Sequence, residues 1–200
     1  MSNALLVLLD RFCGAIVSLP LVLIYVFTFD RERAKRRWFS MVLLVLYLNA
    51  MYIVIGVPGI SYIRWDPTVN LIPFQDFSRS NLLGMILNVV MFMPLGFLLP
   101  VYFERYRQWG RTLAAGFLTS VAVELIQLFT FRATDVDDLL TNTLGAVVGF
   151  LAAKLIFRFR STVYQGKKDW AELLTVNALV LLVIVFIRYP LMELLLPLLP

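Results

Sequence analysis

The chain has 200 residues, 60% of them hydrophobic and 16% charged, with a formal net charge of +5. Soluble domains are apolar at about 45–50%, so this composition excludes a water-soluble core. It points to a helix bundle in a membrane, where the excess of Lys and Arg sets topology rather than holding nucleic acid. With no histidine and one cysteine, Cys13, the chain by itself lacks the usual zinc ligand, any Ser-His-Asp or Cys-His mechanism, and an intramolecular disulfide.

A spanning helix needs about 20 mostly apolar residues. The first such run is Phe12 to Phe29, beginning near Ala4 with Asp10 and Arg11 close to the interface. It lacks a basic n-region and a small-residue cleavage site, so it reads as a membrane anchor rather than a signal peptide. Trp38 to Val57 is the second run, Leu82 to Phe103 the third, Thr112 to Phe131 the fourth and Leu139 to Phe157 the fifth. The sixth runs from about Leu173 to Tyr189, and the tail PLMELLLPLLP, broken by proline, reads as an interfacial segment. The expected fold is all-α: one polytopic membrane domain of about six transmembrane helices, with an outward-facing polar cavity.

The loops give a direction. DRERAKRR (Asp30 to Arg37) holds five basic residues, ERYRQWGR (Glu104 to Arg111) three and RFRSTVYQGKK (Arg158 to Lys168) four. The alternate loops carry only Arg64 and Arg79, or Arg132. The positive-inside rule places the basic loops in the cytoplasm and both termini outside. The loop from Pro58 to Asn81 and the turn from Arg132 to Asp138 then face outward too.

That outer side collects the polar residues. Ser120, Glu124 and Gln127 recur at helical spacing on the fourth span. Asp135, Asp138, Asn142, Gly145 and Gly149 form one stripe at the start of the fifth. Its glycines suit close helix approach in lipid. At ~1.5 Å per residue, Glu124 lies ~12 Å below Arg132 and Asn88 lies ~9 Å below Leu82. Glu124, Gln127, Asn88 and Asn142 are thus expected to meet in the outer half of the bilayer, satisfying one another or lining a wet cavity. A lone carboxylate facing lipid would cost at least ~2.5 kcal/mol at mid-membrane. Pro94, Gly96 and Pro100 in the third span serve packing or shape that cavity. The preceding DPTVNLIPFQDF (Asp66 to Phe77) is too polar and Pro-broken to span. It reads as an interfacial loop, or as a lid over the cavity.

Three stretches carry a resemblance. NLIPF (Asn70 to Phe74), NVVMFMPLGFLLP (Asn88 to Pro100) and SVAVELIQLFTFRATDVDDLLTNTLGAVVGF (Ser120 to Phe150) together resemble the VanZ-like family of bacterial membrane proteins. The third, with E-x-x-Q, R-x-x-D-x-x-D and N-x-x-G, is the most specific. The resemblance covers roughly Trp65 to Phe157. It carries over to Asn70, Pro73, Phe74, Asn88, Pro94, Gly96, Glu124, Gln127, Arg132, Asp135, Asp138, Asn142 and Gly145. The family is named for a protein associated with teicoplanin resistance. The resemblance therefore implies an amphipathic envelope ligand: a lipoglycopeptide or a lipid-linked cell-wall precursor, beside membrane lipids.

The candidate ligand-binding residues are Asn70, Phe74, Asn88, Glu124, Gln127, Arg132, Asp135, Asp138 and Asn142. Arg132 suits a carboxylate or phosphate, or an internal ion pair with Asp135 or Asp138. No cofactor is called for, since no nucleophile motif or phosphate-binding loop is present. A membrane enzyme acting on a lipid or cell-wall precursor stays open, through oxygen-only metal binding or carboxylate acid–base chemistry. So does a small lipid transporter or flippase, because membrane carboxylates mark ion and proton relays.

Overall fold

A computed structural model describes residues 3–29, 31–60, 63–65, 68–75, 78–129, 134–159 and 169–195, with the side chains of 3–11, 33 and 34 left aside. The helices are α1 (Asn3–Phe29), α2 (Arg31–Ile55), α3 (Arg79–Tyr102), α4 (Trp109–Gln127), α5 (Val136–Phe157), α6 (Asp169–Leu182) and α7 (Arg188–Leu195). The described residues also form two-residue strands β1 (Val69–Asn70) and β2 (Thr134–Asp135), a 3-10 turn at Glu104–Arg107 and a π-helical turn at Val183–Ile187. The fold is essentially all-α, as the hydropathy of the sequence requires. Among the described residues, five helical stretches are long and apolar enough to cross a membrane: Phe12–Phe29, Lys35–Ile55, Arg79–Tyr102, Val136–Phe157 and Asp169–Leu195. At 19 residues, α4 is ~28 Å long but less apolar, because its buried Thr112, Ser120, Glu124 and Gln127 are polar.

The chain divides into two compact units, residues 64–169 and residues 1–63 with 170–200. In the second of these, α2 starts earlier than the apolar run because the basic stretch before Trp38 is also helical. A non-helical Arg37 (φ −131°, ψ 16°) separates that charged stretch from the membrane-length part. Asn49 of α2 donates to Ser18 of α1 at 2.9 Å, and Tyr52 of α2 donates to Asn177 of α6 at 2.7 Å. The Cys13 thiol is buried and points at the Arg188 carbonyl, 3.8 Å away. The last helix corrects the expected break at Pro190. A π-helical turn over Val183–Ile187 joins α6 to α7, and helix continues through Pro190 to Leu195. Proline clashes with the carbonyl four residues back in a regular helix. The wider turn just upstream relaxes that constraint. Residues 196–200 of the tail lie outside the described residues.

The unit of residues 64–169 is built on the seam between α3 and α5. Gly145 and Gly149 of α5 lie against the backbone of Val89 and Met93 of α3, and Gly96 of α3 lies against the backbone of Ala146. Ala146 also reaches α4 at Gly116. Removing Cβ at these crossings lets backbones approach closely, and dispersion then acts over the whole contact, which is the main attraction between helices in lipid. The described α3 runs through both Pro94 and Pro100. Its N-terminus is capped by the Ser78 hydroxyl, which accepts from the Asn81 N–H at 3.3 Å.

Gly149→Val should therefore destabilise the purified protein by at least about 1–3 kcal/mol, seen as a lower unfolding temperature in detergent. Gly84→Ala on the same α3 helix, where an added Cβ would meet nothing within 4 Å, should not lower that temperature.

Candidate functional site

The residues that close the α4–α5 connection are organised by carboxylates accepting backbone N–H groups. Glu124, in the last turn of α4, is buried at 7% exposure. One of its oxygens accepts the Asp135 N–H at 3.1 Å, and its backbone carbonyl accepts the Thr134 hydroxyl at 3.2 Å. This fixes β2 against the end of α4. Asp135 then caps α5: its side chain accepts the Asp137 N–H at 2.9 Å, satisfying a donor that the first helical turn leaves open. Asp137 and Asp138 occupy that first turn, where the helix dipole favours negative charge.

The same carboxylates hold the segment Asn70–Phe74. β1 and β2 pair in parallel, with Asn70 opposite Asp135, and the Thr134 N–H donates to the Thr68 carbonyl at 3.0 Å. The Asn70 side-chain amide donates to Asp135 at 3.1 Å, while its oxygen accepts the Ile72 N–H at 3.1 Å. Asp137, only 2% exposed, accepts the Phe74 N–H on both oxygens, at 2.9 and 3.1 Å. Phe74 has φ 56°, a left-handed conformation that costs a non-glycine residue roughly 1–2 kcal/mol. The two-oxygen bond from a buried carboxylate offsets that strain. The side chains of Leu71, Ile72 and Phe74 remain outside, 74%, 60% and 45% exposed. Trp65, also exposed, packs on Phe129 at the same end with ring centroids 5.3 Å apart.

Deeper in the helices the polar pairs separate by face. Asn88 of α3 donates to Asp138 at 2.7 Å. Asn142 of α5, 1% exposed, donates to Ser120 of α4 at 3.0 Å. Its own side-chain oxygen has no hydrogen-bond partner among the described residues. Gln127 is buried at the end of α4. The α5 stripe therefore divides between two neighbours, Asp138 and the glycines facing α3 and Asn142 facing α4. Asn88 and Asn142 do not share a bond. Arg132 lies outside the described residues.

Asp137 was absent from the residues singled out by helical face, because it falls off the Asp135–Asp138–Asn142 stripe. The capping rule could have found it: with Asp135 as N-cap, the next carboxylates lie at the open end of the helix, where they reach neighbouring backbone. Ser120 was visible as the partner of Glu124 and Gln127 by spacing, though not as the acceptor for Asn142. No cluster of three or more His, Cys, Asp or Glu side chains among the described residues is disposed to hold a metal ion. What the arrangement does offer is a rigid rim. Charged groups are spent on backbone donors, and apolar side chains project from the segment they hold.

Asp137→Ala should free the Phe74 N–H. Hydrogen bonds to charged groups contribute roughly 1.5–3 kcal/mol, so amide exchange at Phe74 should speed up on the order of 10- to 100-fold in hydrogen-exchange mass spectrometry. Exchange within the middle of α3 should hold.

Comparison with known proteins places this chain in a family. The family model VanZ/LLP1 matches residues 21–158. That stretch takes in the site and extends upstream through α2, beyond the motif-bearing half of the chain. "Protein VanZ" from Enterococcus faecium is 34% identical over 120 residues, which cover 60% of this chain and 71% of that protein. No solved structure matches. The matched stretch carries the carboxylate-held segment, the α4–α5 connection and the glycine seam together, and the chain belongs to the VanZ-like family of membrane proteins.

Proposed function

We propose that the carboxylate end of α3, α4 and α5 is an extracytoplasmic binding surface for an amphipathic envelope ligand carrying an acyl chain, and that the protein lowers susceptibility to teicoplanin through it. The observation that carries this reading is the segment Asn70–Phe74. It is pinned by Asp135 and Asp137 while Leu71, Ile72 and Phe74 stay exposed. A lipid-tailed molecule needs apolar contact for its chain beside polar groups for its head. This rim holds the apolar side in a fixed geometry, with little ordering left to be lost on binding. Arg132, in the connection between α4 and α5, supplies a cation for a carboxylate or phosphate on the ligand. Outward orientation of this end follows from the basic loops at the opposite ends of the same helices. The kinship with Protein VanZ supports the resistance role.

Two experiments test the reading. Ile72→Cys and Gln108→Cys both place a thiol at an exposed position, at opposite ends of the α3–α5 unit, while native Cys13 is buried. An impermeant maleimide added to intact cells should label the first and spare the second; the reverse pattern inverts the topology. In a sensitive Gram-positive host at matched membrane levels, the wild type should raise the teicoplanin inhibitory concentration and leave vancomycin unaffected. Glu124→Gln and Arg132→Ala should lose that protection. Full protection in both variants would remove the site from the mechanism.

A further inference from the structure

At the end of α4 and α5 far from the carboxylates lies a cleft of about 200 Å³. Its walls are Trp109 and Leu113 of α4 with Val147, Phe150, Leu151 and Lys154 of α5. All are apolar except Lys154. From Val147 to Lys154 the cleft follows α5 for ~10 Å, so one cation stands at the end of an apolar trough. Lys154 is exposed in the last turn of α5. Its ammonium makes no ion pair with any described residue. A second cation approaches the same rim. The Arg107 guanidinium sits 5.9 Å from the ring centre of Phe159, and Phe159 packs edge-on against Phe150. Arg107 is only loosely offset by Glu104, at 3.9 Å and part-exposed. Trp109, 66% exposed at the start of α4, is the residue type that marks the headgroup level.

An uncompensated ammonium at the end of a membrane-length helix draws a counter-anion, and basic pockets between membrane helices take anionic headgroups. The trough beneath it has the apolar lining that an acyl chain packs against. We propose that this cleft binds one anionic phospholipid, its phosphate against Lys154 and one acyl chain along Val147, Phe150 and Leu151. The site is separate from the carboxylate end and does not depend on the ligand proposed there.

The test uses the full chain, purified and exposed to phosphatidylglycerol and phosphatidylethanolamine in equal amounts, with bound lipid read by native mass spectrometry. One well-placed cation should favour phosphatidylglycerol roughly fivefold. Lys154→Gln should bring the two lipids to parity, while Lys154→Arg keeps the preference. Val147→Phe, filling the trough, should lower occupancy by both. Lys35→Gln, which removes a basic residue exposed on α2, controls for general surface charge and should behave as wild type. Parity in the wild type would overturn the proposal. So would a preference that survives Lys154→Gln, one that Lys35→Gln reduces equally, or unchanged occupancy in Val147→Phe.

Discussion

The carboxylate of Glu124 is the pivot of the polar end. It is buried in a helix that must sit among apolar neighbours, and burying a polar group without a hydrogen bond is costly. Its bond to the Asp135 N–H answers that cost and fixes where α5 begins. From there the order is forced. Asp135, once held, caps α5 and orients Asn70; Asp137, placed by the cap, takes the Phe74 N–H. Glu124, Asp135, Asp137 and Phe74 are thus aligned by a relay in which each carboxylate holds the backbone N–H of the next member, while Asn70 is held through its side-chain amide.

The relay depends on a second constraint, the close seam of α3 and α5. Asn88 reaches Asp138 only because Gly145, Gly149 and Gly96 let the two helices approach backbone to backbone. Polar bonds between membrane helices average only ~0.6 kcal/mol in measured cases, so the amide pairs do not by themselves hold the unit together. Packing supplies the attraction, and the polar pairs select the register. Asn142 meeting Ser120 on α4 while Gly145 meets Val89 on α3 sets α5 against both neighbours at once.

Much of this was legible in the sequence. The long apolar runs gave the membrane helices, and the glycine spacing of α5 marked a packing face before its partner was known. The boundaries shifted where charge and helix coexist: basic residues before Trp38 can be helical because they lie beyond the apolar stretch. Pro190 misled because proline is read as a breaker, whereas a π turn absorbs it. In the site, helical spacing grouped Glu124 with Ser120 and Gln127 and Asp138 with Asn142, and the rise per residue put Asn88 at a similar depth. It could not assign partners, because spacing within one helix says nothing about which neighbour a residue meets. Asp137 was hidden for a related reason: its role depends on the end of a helix rather than on its face.

The relay binds main-chain N–H groups, and that has an evolutionary side. The identities of Leu71, Ile72 and Phe74 are decoupled from the bonds that position them, because Asp137 and Asn70 grip amides common to nearly every residue type. The outward side chains of this segment can therefore change without renegotiating the bonds that place it. Proline is barred at positions 72 and 74, since it has no N–H to offer, and the positive φ of position 74 also disfavours β-branched residues.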